Sequence, residues 1–140
     1  MEYKRFQNTV IVRIDPGEEI LELLLDVVTK EKIRLADVSA LGAVNEFVVG
    51  VFDTKQKKYH SNSFKGDFEI VSLTGTVTEM DGKSYFHLHM SAGDRSGKVF
   101  GGHLNRAMVS ATCEMVIHII DGTVGRTFSE SVGLNLFDFH

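Results

Sequence analysis

Helical periodicity is confined to one short stretch of this chain, and that fact dictates most of what it can fold into. Asp15-Pro16 reads as a helix start, with Pro16 suited to the first turn, and Glu18 and Glu19 sit where the helix dipole favours negative charge. Ile20, Leu21, Leu24, Leu25, Val27 and Val28 then give a broad apolar stripe, and Lys30 and Lys32 fall near the positive-preferring end. The stripe predicts a packing helix that covers a sheet. It carries no evident chemistry.

Nearly everything else reads as strand. Val10 to Ile14 precedes the helix, and Ala36 to Val51 follows it with many β-branched residues. Asp53 to Tyr59 is a polar turn whose three lysines read as a solvated hairpin tip. Phe68 to Met80 is a long strand, and Asp81-Gly82 is a strong two-residue hairpin signal before Ser84 to Met90 returns. Gly93 to Gly97 turns again, Lys98 to Leu104 comes back, and Val109 to Ile120 is a further apolar strand. Asp121-Gly122 turns once more before Val124 to Phe128. One proline, 13 glycines placed mostly at turns, and no linker or repeat predict a single α+β domain over residues 1–140. Its sheet is mostly antiparallel, with one main flanking helix.

Charge and cysteine content narrow the function classes. Fifteen Lys and Arg against 19 Asp and Glu leave a net charge of −4, which does not supply the field of a general polyanion binder. Cys113 is the only cysteine, so no intrachain disulfide forms, and a cytoplasmic setting is expected. No leader pattern opens the chain, and no apolar run approaches the roughly 20 residues a membrane helix needs. A soluble, unprocessed domain is the expectation, with no membrane partner.

The chemistry lies in the histidines. In Phe86-His87-Leu88-His89-Met90 the two imidazoles are two residues apart, so on a strand they share a face while Phe86, Leu88 and Met90 take the other. A five-residue loop over Gly93–Gly97 pairs Ala92 with Lys98 and sets His87 opposite His103, bringing a third imidazole to the same face. Gly101 and Gly102 permit a backbone kink beside it. Three neutral imidazoles suit a divalent metal, zinc above all, and leave a fourth position for water or a small-molecule ligand.

Carboxylates that could serve such a metal as acid or base are harder to place. The Asp81-Gly82 turn pairs Met80 with Lys83, putting Thr76 opposite His87 and Thr74 opposite His89. Ser72, Thr74 and Thr76 then share the histidine face, and Glu69 points away unless a bulge, for instance at Gly75, brings it round. Glu114 shares a face with His118, which reads as a polar pair at a sheet edge or subunit interface. Glu69 and Glu114 are thus the catalytic candidates, both weakly specified. Arg106 and Arg126 are anion anchors by residue type only, and Cys113 reads as core. No phosphate loop, nucleophile elbow or clustered CxxC is present.

Four motifs in order carry a resemblance: Gly66 to Thr76, His87-Leu88-His89-Met90, Gly101-Gly102-His103-Leu104, and Ala111-Thr112-Cys113-Glu114. Together they resemble the PPC domain, conserved in plants and prokaryotes and also catalogued as a domain of unknown function, from about Val10 to Phe128. The resemblance implies an antiparallel sheet with flanking helices, a homotrimer, and a metal site, usually zinc, at His87, His89 and His103. It also implies a DNA-associated role, which comes largely from plant relatives that join this domain to AT-hooks. This chain has no Arg-Gly-Arg-Pro hook, and the plant motif Gly-Arg-Phe-Glu-Ile-Leu here reads Gly66-Asp67-Phe68-Glu69-Ile70-Val71, with an acid in place of the arginine. The domain is also similar in fold to acetolactate decarboxylase, which presents a comparable histidine set to zinc. Two functions follow as expectations. One is a trimeric metal-binding module with a regulatory or DNA-associated role; the other is a metal-dependent lyase acting on a small carbonyl or carboxylate substrate.

Overall fold

In the computed structural model all 140 residues are described, and the chain runs as eight strands and one helix. The strands are β1 (Glu2–Phe6), β2 (Thr9–Ile14), β3 (Ala36–Asp53), β4 (Lys58–Met80), β5 (Lys83–Gly93), β6 (Val99–Ile119), β7 (Gly125–Ser129) and β8 (Leu134–Asp138), and the helix is α1 (Ile20–Lys30). The first six strands form one antiparallel sheet in the order β1-β2-β6-β3-β4-β5. The leading half of β6 also pairs with β5, which closes that end of the sheet on itself. The expected α+β architecture, a mostly antiparallel sheet with one flanking helix, is the architecture observed.

Turn chemistry sets the registers. Asp81 and Gly82 both have positive φ, 52° and 73°, as a two-residue hairpin requires, and Met80 pairs with Lys83 as the sequence predicts. At the tip between β3 and β4 the Asp53 carboxylate accepts from the backbone N–H groups of Lys55 and Gln56, confirming the polar turn. β4 nevertheless starts at Lys58, ten residues earlier than the apolar pattern suggests, because Lys58–Asp67 alternates with few apolar side chains. β6 likewise runs unbroken through Asn105 and Arg106, where two separate strands are expected.

Asp121-Gly122 makes no hairpin with β6. The chain instead leaves the main sheet, and β7 pairs with β8 in a separate two-stranded sheet. β1 does not announce itself by apolar content.

The helix begins later than Asp15-Pro16 suggests. Pro16-Gly17 is a turn, with Gly17 at φ +84°, and α1 starts at Ile20 with Glu19 as its N-cap. Ile20, Leu24, Val27 and Val28 are buried at the i, i+4, i+7, i+8 spacing of one helical face, while Leu25 turns outward. Beneath them lie Val10, Val12 and Ile14 of β2, Cys113, Met115 and Ile117 of β6, and Val38 of β3. Burial pushes the Cys113 thiol up to about 12, in keeping with an inert core residue. In the closed end Phe47, Phe64, Phe68 and Phe100 pack ring on ring, with centroids 4.7–5.0 Å apart for three of the pairs.

Glu19 ties helix to sheet. One carboxylate oxygen accepts from the backbone N–H of Glu22 at 2.8 Å and the other from that of Ala107 on β6 at 2.8 Å. Glu19→Ala removes a helix cap and strands a buried N–H. It is expected to cost about 2–3 kcal/mol in chemical denaturation, with Glu19→Gln retaining most of the stability.

Candidate metal centre

On β5 the sheet alternation separates core from site. Leu88, Met90 and Ala92 are buried, whereas His87 and His89 project from the opposite face beside Thr76 and Thr74 of β4. His103 comes from β6. It lies opposite His89, two residues along from the expected partner His87. The reason is in the loop: Gly93 stays in β5, pairing with Val99, and the five-residue turn is Asp94–Lys98. The Asp94 carboxylate holds that turn, accepting from the Ser96 N–H and hydroxyl and from the Lys98 N–H. The loop keeps its odd length, so His103 still faces the other two.

One potential ligand atom from each of the three histidines can be chosen so that all lie within 4.8 Å of one another. Ring centroids are 5.1, 5.5 and 5.8 Å apart. Three imidazoles aimed at one tetrahedral ion, with metal–nitrogen bonds near ~2.0 Å, place their centroids roughly 5 Å apart. The ring spacing is thus of the order that a three-histidine metal site requires. Burial, then His89 and Arg126, hold His87 below the ordinary imidazole range, and burial with the other two rings does the same for His103. These rings are correspondingly available as neutral ligands.

Close backbone approach supports the cage. A Cβ on Gly102 would stand 2.5 Å from the carbonyl oxygen of Gly50, and one on Gly50 would stand 2.5 Å from the Tyr59 hydroxyl. Glycine at these positions lets β3 and β6 press together beside His103; its role is proximity more than the expected kink. Tyr59 then packs edge-on to His103 at 6.0 Å, its hydroxyl donating to Asn105 Oδ1.

The other candidates lie elsewhere. A bulge does turn Glu69 onto the histidine face, but it falls between Ile70 and Ser72, not at Gly75. Glu69 sits opposite Gly93, about 13 Å along the strand from His89, and is exposed. Glu114 is exposed on β6 opposite Arg13, on the same face as His118, whose Nδ1 lies 3.5 Å from the Thr9 hydroxyl. Arg106 pairs with Glu46 at 3.0 Å. Asp67, the acid in the altered plant motif, pairs with Arg95.

What sequence reading missed is the wall of the site. The β7–β8 hairpin stands beside the histidines, and a cleft of about 700 Å³ opens between them. Tyr59, Tyr85, Arg126, Leu134, Leu136 and Phe137 line it with the three histidines. The alternation Leu134-Asn135-Leu136-Phe137 after Gly133 is the one sequence signal for this wall.

Residues 1–121 match the Plants and Prokaryotes Conserved (PCC) domain. Among solved structures, a "putative DNA binding protein" from Bacteroides thetaiotaomicron is 30% identical, with a TM-score of 0.95 over 99% of this chain and 96% of its own. A metal-containing protein from Archaeoglobus fulgidus is 32% identical, with a TM-score of 0.86 over 97% of this chain and 96% of that one. A plant- and prokaryote-conserved protein from Pyrococcus horikoshii is 30% identical, with a TM-score of 0.85 over 98% and 93%. No curated protein matches the chain.

Proposed function

This chain belongs to the Plants and Prokaryotes Conserved domain family, and we propose that it is a homotrimeric module binding one divalent metal ion, zinc, per chain through His87, His89 and His103. The observation that carries this reading is the convergence of three ligand atoms within 4.8 Å at the edge of a cleft. Three neutral nitrogen ligands match zinc, and structural zinc is normally closed by four protein ligands, so a three-histidine cage leaves a position for an exogenous ligand. The metal-containing relative from Archaeoglobus fulgidus supports the same reading.

No carboxylate lines the cleft, and this favours ligand binding over acid–base lyase chemistry. A DNA-associated regulatory role comes from relatives alone. The net charge of −4 and the lack of an AT-hook fit a role exerted through a partner. The lone buried cysteine fits a cytoplasmic setting, and no helix is long and apolar enough to cross a membrane.

The trimer rests on family resemblance and on an uncovered sheet face. β6 buries Cys113, Met115 and Ile117 against the core, but Val116 on its other side is 39% exposed, next to Ile11 at 43% and near Leu41 at 58%. A partner subunit laid there removes apolar area from water, and the histidines project from the same side of the sheet.

Elemental analysis of tag-free protein is expected to find about one zinc per chain. His87→Ala and His103→Ala should each lose it; full occupancy in both would refute the site. Protonation removes the ligand lone pair, and the lowered proton affinity of His87 and His103 shifts that loss downward in pH. Zinc should therefore stay bound at neutral pH and leave on acidification below the ordinary imidazole range.

Light scattering should give a mass near three chains. Glu114→Lys, which sets a like charge opposite Arg13 on the uncovered face, should weaken assembly. A stable monomer at micromolar concentration would overturn the trimer.

Duplex DNA is a separate test. The isolated chain should show no sequence-specific binding at physiological salt, and submicromolar affinity with a marked salt slope in a titration would contradict that.

A further inference from the structure

Five of the six arginines have a carboxylate partner: Arg5 with Glu31, Arg13 with Asp15, Arg34 with Glu79, Arg95 with Asp67 and Arg106 with Glu46. Arg126 has none. Yet the five paired side chains are 42–85% exposed, whereas Arg126 is half-buried in the wall of the histidine cleft.

Its guanidinium is fixed from several sides. Nε donates to the Thr78 hydroxyl at 2.9 Å and Nη1 to the Asn135 carbonyl at 2.9 Å, both neutral acceptors. The plane lies between Tyr85, 4.4 Å from its ring centroid, and Phe137, 4.6 Å away. Nη2 is buried and has no hydrogen-bond partner at all. A rigid, desolvated cation with an unused donor and no counter-charge is costly unless an anion completes it. Guanidinium geometry suits the fork of a carboxylate.

The rest of the lining describes the body attached to that carboxylate. Val51, Phe52, Leu134, Leu136 and Phe137 are apolar, and about 700 Å³ lies within the usual range for small-molecule sites. We propose that the cleft beside the histidines binds a small organic carboxylate with an apolar body, its carboxylate paired with Arg126. The proposal goes beyond metal binding and stands whether or not the histidines carry an ion.

The test uses the full chain, metal-free after chelation and zinc-loaded, titrated calorimetrically with phenylacetate and with its neutral isostere phenylacetamide. Phenylacetate should bind at least about tenfold more tightly than phenylacetamide in both forms, because only the anion supplies the missing charge-assisted hydrogen bond. Arg126→Gln should abolish that preference in both forms without lowering zinc content, and Arg126→Lys should restore part of it. Equal affinity for the two probes, or binding of neither by the unaltered chain, overturns the proposal; this comparison needs no variant and holds even if Arg126→Gln loosens the hairpin. Zinc-loaded Arg126→Gln that binds phenylacetate as tightly as the parent would assign the carboxylate to the metal and also overturn it. A chain that prefers phenylacetate but takes up no zinc would refute the metal reading alone.

Discussion

The structure depends on β6 pairing along its length with β2 and β3 and, at its leading end, with β5. A single straight strand cannot serve partners on different sides of a closing sheet, and β6 manages it through register shifts near Val44 and Val48 of its neighbour β3. Closure supplies backbone partners that an open edge on β5 would leave to water or to another chain. It also sets His103 beside His89, across the five-residue turn that joins β5 to β6. The phenylalanine cluster fills the space this closure encloses, and Glu19 clamps the helix to the same strand at Ala107. Packing, capping and histidine cluster thus share one backbone path.

The cage and the cleft divide the electrostatic work. Burial, with the charged groups beside them, holds His87 and His103 below the ordinary imidazole range, which suits these two rings to donate lone pairs. Arg126 is held against Tyr85 and Phe137, where aromatic faces replace water as its surroundings and make its charge act over a longer range than it would in solvent. The two groups are positive or neutral donors facing one apolar space.

Much of the site was legible in the sequence because short-range rules determine it. Alternation put His87 and His89 on one face, and Asp81-Gly82 admits only one register between β4 and β5. The expected loop before β6 has the right parity but starts one residue early, which moves the partner of His103 by two, since Asp94's side-chain bonds hold the turn and no periodicity reports them. Glu69 changed face through a bulge at Val71, a local insertion that leaves the apolar pattern on either side looking regular. The helix start moved to Ile20 because Pro16-Gly17 is itself a turn, a signal present in the dipeptide and outweighed by the acids after it. Arg126 was visible only as a residue type. Its meaning comes from Tyr85 and Thr78, more than forty residues away along the chain.

The hairpin that brings Arg126 to the cleft lies beyond the residues that match the family, which end at 121. It forms its own small sheet, and side-chain bonds join it to the main sheet at few points: Arg126 to the Thr78 hydroxyl, Asn135 to the Tyr85 hydroxyl and Lys57 to the Ser131 carbonyl. Substitutions among residues 125–138 can recut the shape and charge of the cleft without touching a ligand atom or a core contact of the barrel. The cleft's shape and charge can drift over evolutionary time while the histidine-bearing strands stay the same.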